Sequence, residues 1–184
     1  LGAPASEGWL LDGTVSARTQ AILSEAGLTI QPVDSVEEAV DKARATPEGA
    51  VVVLDSVVFS RRVLRELLGA FAAGSRKAIT AALPEALATR RLAHVSGLEP
   101  VVIDGVAAWT APLHVLAPGA TLADAEPVLL PYKERVIKFP TPVGMIGKSE
   151  ASFGATDAVL VRVVHWTHLL RVNLSVFLAT WMER

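Results

Sequence analysis

The chain contains no cysteine. That excludes disulfides, thiolate metal sites and a cysteine nucleophile, and it fits a reducing compartment. A cytoplasmic location is therefore the expectation. Net charge is also scarce: the formal value is −2 over 184 residues. No basic field argues for nucleic acid, and no acidic tail is present. A Gly-x-Ser-x-Gly elbow is missing, so acyl transfer by a serine triad has no support. A glycine-rich phosphate loop is missing too. Gly144–Ser149 ends in Gly-Lys-Ser, but it lacks the first glycine at the required spacing and follows a proline-rich loop. The first residues have neither the basic nor the apolar region of a signal peptide. Leu1 in place of methionine predicts a processed form or a piece of a longer protein. The most apolar stretch, Val159 to Trp181, carries Arg162, His165, His168, Arg171 and Asn173. Each is costly in hydrocarbon, so the stretch reads as a buried or interface helix rather than a membrane span.

What is present is a sizeable core. The hydrophobic fraction is 51%, against disorder. No internal repeat and no low-complexity segment occurs. Asp12-Gly13 is a turn signal, and a helical pattern follows from Val15 to Ala26, with Thr14 as a candidate cap and Gly27 at the C-terminal end. Leu28 to Val33 reads as a strand. Ser35-Val36-Glu37-Glu38 has the capping-box form and opens a second helix through Ala43. Ala50 to Ser56 is a run of β-branched residues ending in one carboxylate, the pattern of a strand buried on both faces in a parallel sheet. Ser60 caps a helix over Arg61–Ala73 that Gly74 ends. Lys77 to Leu83 is a further strand, and Pro84 suits the first turn of a helix through Leu92.

This alternation predicts βαβ crossovers. The expected fold is a Rossmann-like three-layer α/β sandwich with a mainly parallel sheet, in a single domain spanning 1–184. The βαβ core would occupy 1–95. Prolines 112, 118, 127, 131, 140 and 142 predict short strands and loops over 96–157. Among them, Val101–Ile103 and Glu134–Phe139 read as strands around an Asp104-Gly105 turn and a charged cluster. A closing strand, Ala158 to Val164, and an apolar helix from His165 to Met182 fill 158–184.

Few residues stand out chemically. Asp55 closes the central apolar strand, where open α/β sheets place their ligands, and is the candidate metal ligand. Asp12 could join it. Lys133, with Glu134, Arg135 and Lys138, could hold a phosphate or simply form a solvated face. His165 and His168 lie three apart, a spacing that could share a metal, or could anchor a packing helix. No catalytic residue can be named.

The order of elements resembles the sugar-phosphate nucleotidylyltransferases of the Rossmann-like glycosyltransferase-A type. Asp12-Gly13-Thr14 precedes a helix ending Ser24-Glu25-Ala26-Gly27, and Val53-Leu54-Asp55-Ser56-Val57-Val58-Phe59 is similar to that family's metal-binding strand. His165-Trp166-Thr167-His168 and Asn173 resemble the closing helix of a subgroup that leads into a left-handed β-helix. The family's Gly-x-Gly-Thr-Arg type loop does not occur in the chain. The resemblance implies either a Mg²⁺-dependent transferase acting on a nucleotide and a sugar phosphate, with Asp55 on the metal and Asp12 and Lys133 near the nucleotide, or a degenerate relative kept for binding. Two alternatives remain. One is a receiver-like signalling module phosphorylated on Asp55, although Asp12 lacks the second acid and Val101 to Thr110 holds no lysine. The other is an oligomerisation domain that pairs through the helix after His165.

Overall fold

The computed structural model describes residues 9–86, 89–90, 97–140, 150–165, 168–169 and 172. Helix α1 spans Trp9–Glu25, α2 Val36–Ala45 and α3 Arg61–Ala73. The strands are β1 (Ala50–Val53), β2 (Val57–Phe59), β3 (Ala78–Pro84), β4 (Glu99–Ile103), β5 (Val106–Leu116), β6 (Ala125–Leu129), β7 (Glu134–Pro140), β8 (Glu150–Thr156) and β9 (Leu160–Arg162).

Local signals are realised closely. Ser35 Oγ accepts from the Glu38 N–H at 3.1 Å, and Glu38 Oε2 reaches back to the Asp34 N–H at 3.1 Å. One donor that the helix leaves orphaned, the Glu38 N–H, is thus satisfied, and the Glu38 carboxylate ties down the residue before the cap. Gly27 closes α1 at φ +78, with its N–H on the Ser24 carbonyl and the Leu28 N–H on the Leu23 carbonyl. That pair of bonds is the Schellman motif. Asp104 and Gly105 both have positive φ, 51 and 79, and join Ile103 directly to Val106. Positive φ at both positions is the type I′ turn that suits a two-residue hairpin.

The long-range arrangement departs from the expected parallel sandwich. The main sheet runs β1–β5–β3–β6, with β4 also on β5. β1, β3 and β4 all lie antiparallel to β5, and among the described strands only β3 and β6 pair in parallel. β2 pairs antiparallel with β9, and β7 with β8, as separate two-stranded sheets. The fold is a mixed α/β arrangement around a mostly antiparallel sheet, not a Rossmann-like one. The physical reason lies in β5. It supplies the central strand from the proline-marked segment, so β1 finds its partner there instead of across a helical crossover.

Pro112 sits inside β5 without breaking it. The pairing of β5 with β3 shifts between Thr80 and Ala82, so that Ala111, Pro112 and Leu113 stand opposite Ala81. Thr110 Oγ1 donates to the Ala81 carbonyl at 2.8 Å in this bulge. On the other edge, β1 pairs with Leu113–Leu116 and β4 with Val106–Thr110. Pro112 falls in the gap between them, where its missing N–H costs no ladder bond.

Three further expectations change. Asp12-Gly13 lies inside α1 rather than in a turn before it. Leu28 to Val33 forms no strand, and Pro84 ends β3 rather than opening a helix. The helix expected through Leu92 is described only at Thr89 and Arg90, and the helix after His165 only at His168, Leu169 and Val172. The remainder of both lies outside the described residues.

The core follows from the alternation of each strand. Ile79, Ala81, Leu83, Leu113 and Val115 point to one face and pack with Val63, Leu64 and Leu67 of α3 and with Ile22 and Leu23 of α1. Ala78 and Leu116 point to the other face, where Ala43 of α2 covers them. β2 is buried on both sides: Val57 and Phe59 join the first cluster, and Val58 packs with Val159, Val161 and Val163.

His114 shares the α2 face with Thr80, whose Oγ1 lies 2.7 Å from its Nδ1. Burial pushes this imidazole below its ordinary range. The unfolded chain takes up a proton near pH 6.5, whereas the folded chain resists doing so. Stability from this site is therefore complete above about pH 6.5 and is lost as pH falls further. Urea midpoints at neutral and mildly acid pH should show a larger acid loss for the natural chain than for His114→Gln. Equal losses would remove His114 as the cause.

Candidate functional site

Asp55 lies where the sequence places it, just after β1, but in a different role. Leu54 to Val57 form a turn closed by the Val57 N–H on the Leu54 carbonyl at 3.0 Å. Asp55 is an exposed central residue of that turn. Asp12 belongs to α1 and Lys133 to the link between β6 and β7. No hydrogen bond or ion pair joins Asp55 to Lys133, and among the described residues no three His, Asp or Glu side chains gather into a metal-holding group. Asp55 thus offers one exposed carboxylate, and Mg²⁺ is commonly held by one or two carboxylates together with substrate phosphates. His165 and His168 do approach, with ring centroids 6.0 Å apart. The Val164 N–H donates to His168 Nδ1 at 3.3 Å, which occupies one of the four ring nitrogens.

Lys133 contributes a defined contact through its backbone. Its N–H donates to Asp157 Oδ1 at 2.7 Å, while Asp157 Oδ2 lies 3.2 Å from Arg62 Nη1. Asp157 is buried, at 4% exposure. Ser60, the N-cap of α3, donates to the Asp157 carbonyl at 3.0 Å and accepts from the Val159 N–H at 3.1 Å. One serine and one aspartate therefore tie α3, the approach to β9 and the β6–β7 link together. Asp157 does not stand out among the chemically distinctive residues of the sequence. Its signal is an acid just before the apolar run Ala158 to Val161. A burial cost of that size needs paired charge and hydrogen bonds, and both are supplied.

A concavity among the described residues lies elsewhere. A cavity of about 380 Å³ opens between α2, the segment from Gly27 to Val33 and β1. Its walls are of mixed polarity, the apolar part including Leu23, Ile30, Val33, Ala39, Val51 and Val53. Lys42 and Glu48 are its charged lining residues. Lys42 Nζ is shared with Glu38 Oε1 at 2.9 Å. One shared ammonium beside a carboxylate is a poor match for a polyphosphate, which needs several cations or free backbone donors.

The backbone of β1 is the distinctive wall. Among the described residues β1 pairs only with β5. Leu54 N–H donates to the Pro112 carbonyl at 3.4 Å, and Ala117 N–H donates to the Lys77 carbonyl at 2.7 Å. Together with the register, these bonds assign Ala50 and Val52 to the ladder with β5. The N–H and C=O groups of Val51 and Val53 then point off the sheet edge, toward the cavity. Leu28 to Val33, composed like a strand, runs along the opposite wall without pairing. Pro32 lacks the N–H that a ladder partner would give. The sequence marked both segments as β-prone. It could not show that they stay apart, since that is a property of the tertiary arrangement.

No protein-family model, no curated protein and no solved structure matches this chain. No described helix is long and apolar enough to cross a membrane.

Proposed function

We propose that the chain is a binding and assembly domain rather than a catalyst, and that its ligand occupies the cavity between α2 and β1. The observation that supports this most is the cavity itself. A space of about 380 Å³ whose walls mix apolar side chains with polar groups is of the size that small ligands occupy.

A thermal-shift screen tests the proposal. It should contain apolar small molecules, peptides, nucleoside triphosphates and nucleotide-sugars, the last two with and without Mg²⁺. A ligand at a hundredfold its dissociation constant stabilises by roughly 2.7 kcal/mol, equivalent to about 5–10 °C in a chain of this size. The expected hit is independent of Mg²⁺ and is lost in Ala39→Trp, which fills the cavity from α2. A shift that persists in Ala39→Trp would place the ligand elsewhere. A Mg²⁺-dependent nucleotide shift lost in Asp55→Asn would instead favour the transferase reading that the resemblance implies.

A further inference from the structure

We infer that the ligand of this cavity is an extended, basic peptide segment that adds as a strand to the free edge of β1. The inference rests on the binding-domain reading above and names the ligand class. Two observations carry it. The first is hydrogen-bond complementarity. Val51 and Val53 each present an N–H and a C=O to the cavity, spaced as alternate residues of a strand. Such a row is a template for another extended backbone, and pairing satisfies both residues at once. A compact small molecule could answer one of these pairs but not the repeat.

The second observation is charge. The stretch from Asp34 to Glu48, of whose charged residues Lys42 and Glu48 line the cavity, carries Asp34, Glu37, Glu38, Asp41 and Glu48 against Lys42 and Arg44. Both cations are already committed, Lys42 to Glu38 at 2.9 Å and Arg44 to Asp41 at 3.9 Å. Asp34, Glu37 and Glu48 make no ion pair with any described residue. The excess is negative, and Glu48 itself lines the cavity beside the start of β1. A segment with lysine or arginine on its outward positions and aliphatic residues on its inward ones meets both the rim and the walls formed by Ile30, Val33 and Leu23.

The probe is a fluorescein-labelled peptide of alternating lysine and valine, titrated by anisotropy against the full chain. Saturable binding is expected, with slowed amide exchange at Val51 and Val53. Val53→Pro deletes one edge donor without touching the β5 ladder. It should weaken binding by about tenfold, as expected for one lost hydrogen bond. A peptide N-methylated on its pairing side should lose binding to the natural chain. That arm keeps the test intact if Val53→Pro fails to fold. Glu48→Lys should weaken the lysine–valine peptide and raise affinity for its glutamate–valine counterpart. Absence of binding, or binding unaffected by both Val53→Pro and N-methylation, would overturn the inference. So would a homodimer that dissociates in Val53→Pro, since the occupant would then be the β1 edge of a second copy. If small molecules still give shifts lost in Ala39→Trp while the peptide fails, the cavity reading stands and only the peptide assignment falls.

Discussion

Phe59→Ala should cost roughly 3–5 kcal/mol of folding stability, the range for deleting a fully buried aromatic ring. Phe59 ends β2 and is 1% exposed. It pairs with Leu160 of β9 and packs into the main core with Val57, Leu64 and Leu113. The ring joins the two-stranded β2–β9 unit to the larger sheet. Close-packed surroundings cannot collapse fully into the space it leaves, so lost transfer energy and a residual cavity both contribute. The melting temperature should fall by roughly 6–20 °C for a chain of this length. Val136→Ala serves as the comparison. Val136 on β7 is 56% exposed, and its truncation should stay within about 0.5 kcal/mol. Similar losses for the two variants in urea denaturation would show that β2 does not join the core as described.

Asp157→Ala should be the next most damaging change, at roughly 3 kcal/mol. Removing one partner of a buried ion pair leaves the other uncompensated. Arg62 retains Glu66 at 3.2 Å and is 19% exposed, so the loss should sit at the low end for such pairs. The Lys133 N–H also loses its acceptor, which costs further when water cannot replace it. Asp157→Asn should lose less, because an amide oxygen can still accept from Lys133. The ranking Ala worse than Asn, measured by urea midpoints, identifies the hydrogen bond as part of the effect. Equal losses would assign everything to charge.

These two sites illustrate what sequence could and could not reveal. Ser35, Ser60, Gly27 and Asp104-Gly105 were legible because caps and tight turns depend on a few adjacent residues. The helix over Arg61–Ala73 was bounded correctly for the same reason. Pairing direction was not legible. Ala50–Val53 looks the same whether its neighbour runs with it or against it, and the decisive neighbour, Val106–Leu116, was obscured by Pro112. The bulge opposite Ala81 that accommodates this proline leaves no signature in local composition. Asp55 drew attention as an acid ending an apolar run, yet it is exposed on a turn. Asp157 was passed over, although its burial makes it the acid with more structural consequence. The cavity depends on Leu28–Val33 and Ala50–Val53 remaining unpaired with each other. That absence of contact cannot be read from either segment.

The order of strands along the chain also sets a timetable. Ala50 pairs with Leu116 and Phe59 with Leu160. At a synthesis rate of about 5–20 residues per second, β1 waits roughly 3–13 s for its partner on the ribosome, and β2 roughly 5–20 s. During that interval Ala50–Val53 and Val57–Phe59 are exposed aliphatic and aromatic strands, the kind that recruits other nascent chains. The β4–β5 hairpin closes in microseconds once Val106–Leu116 has emerged. It then offers the free edge of β5 to β3, and Leu113–Leu116 beyond the hairpin to β1, both made earlier. Newly made copies of this protein should therefore depend on holdase chaperones until β5 appears, and slowing translation just before Val106 should increase aggregation during synthesis.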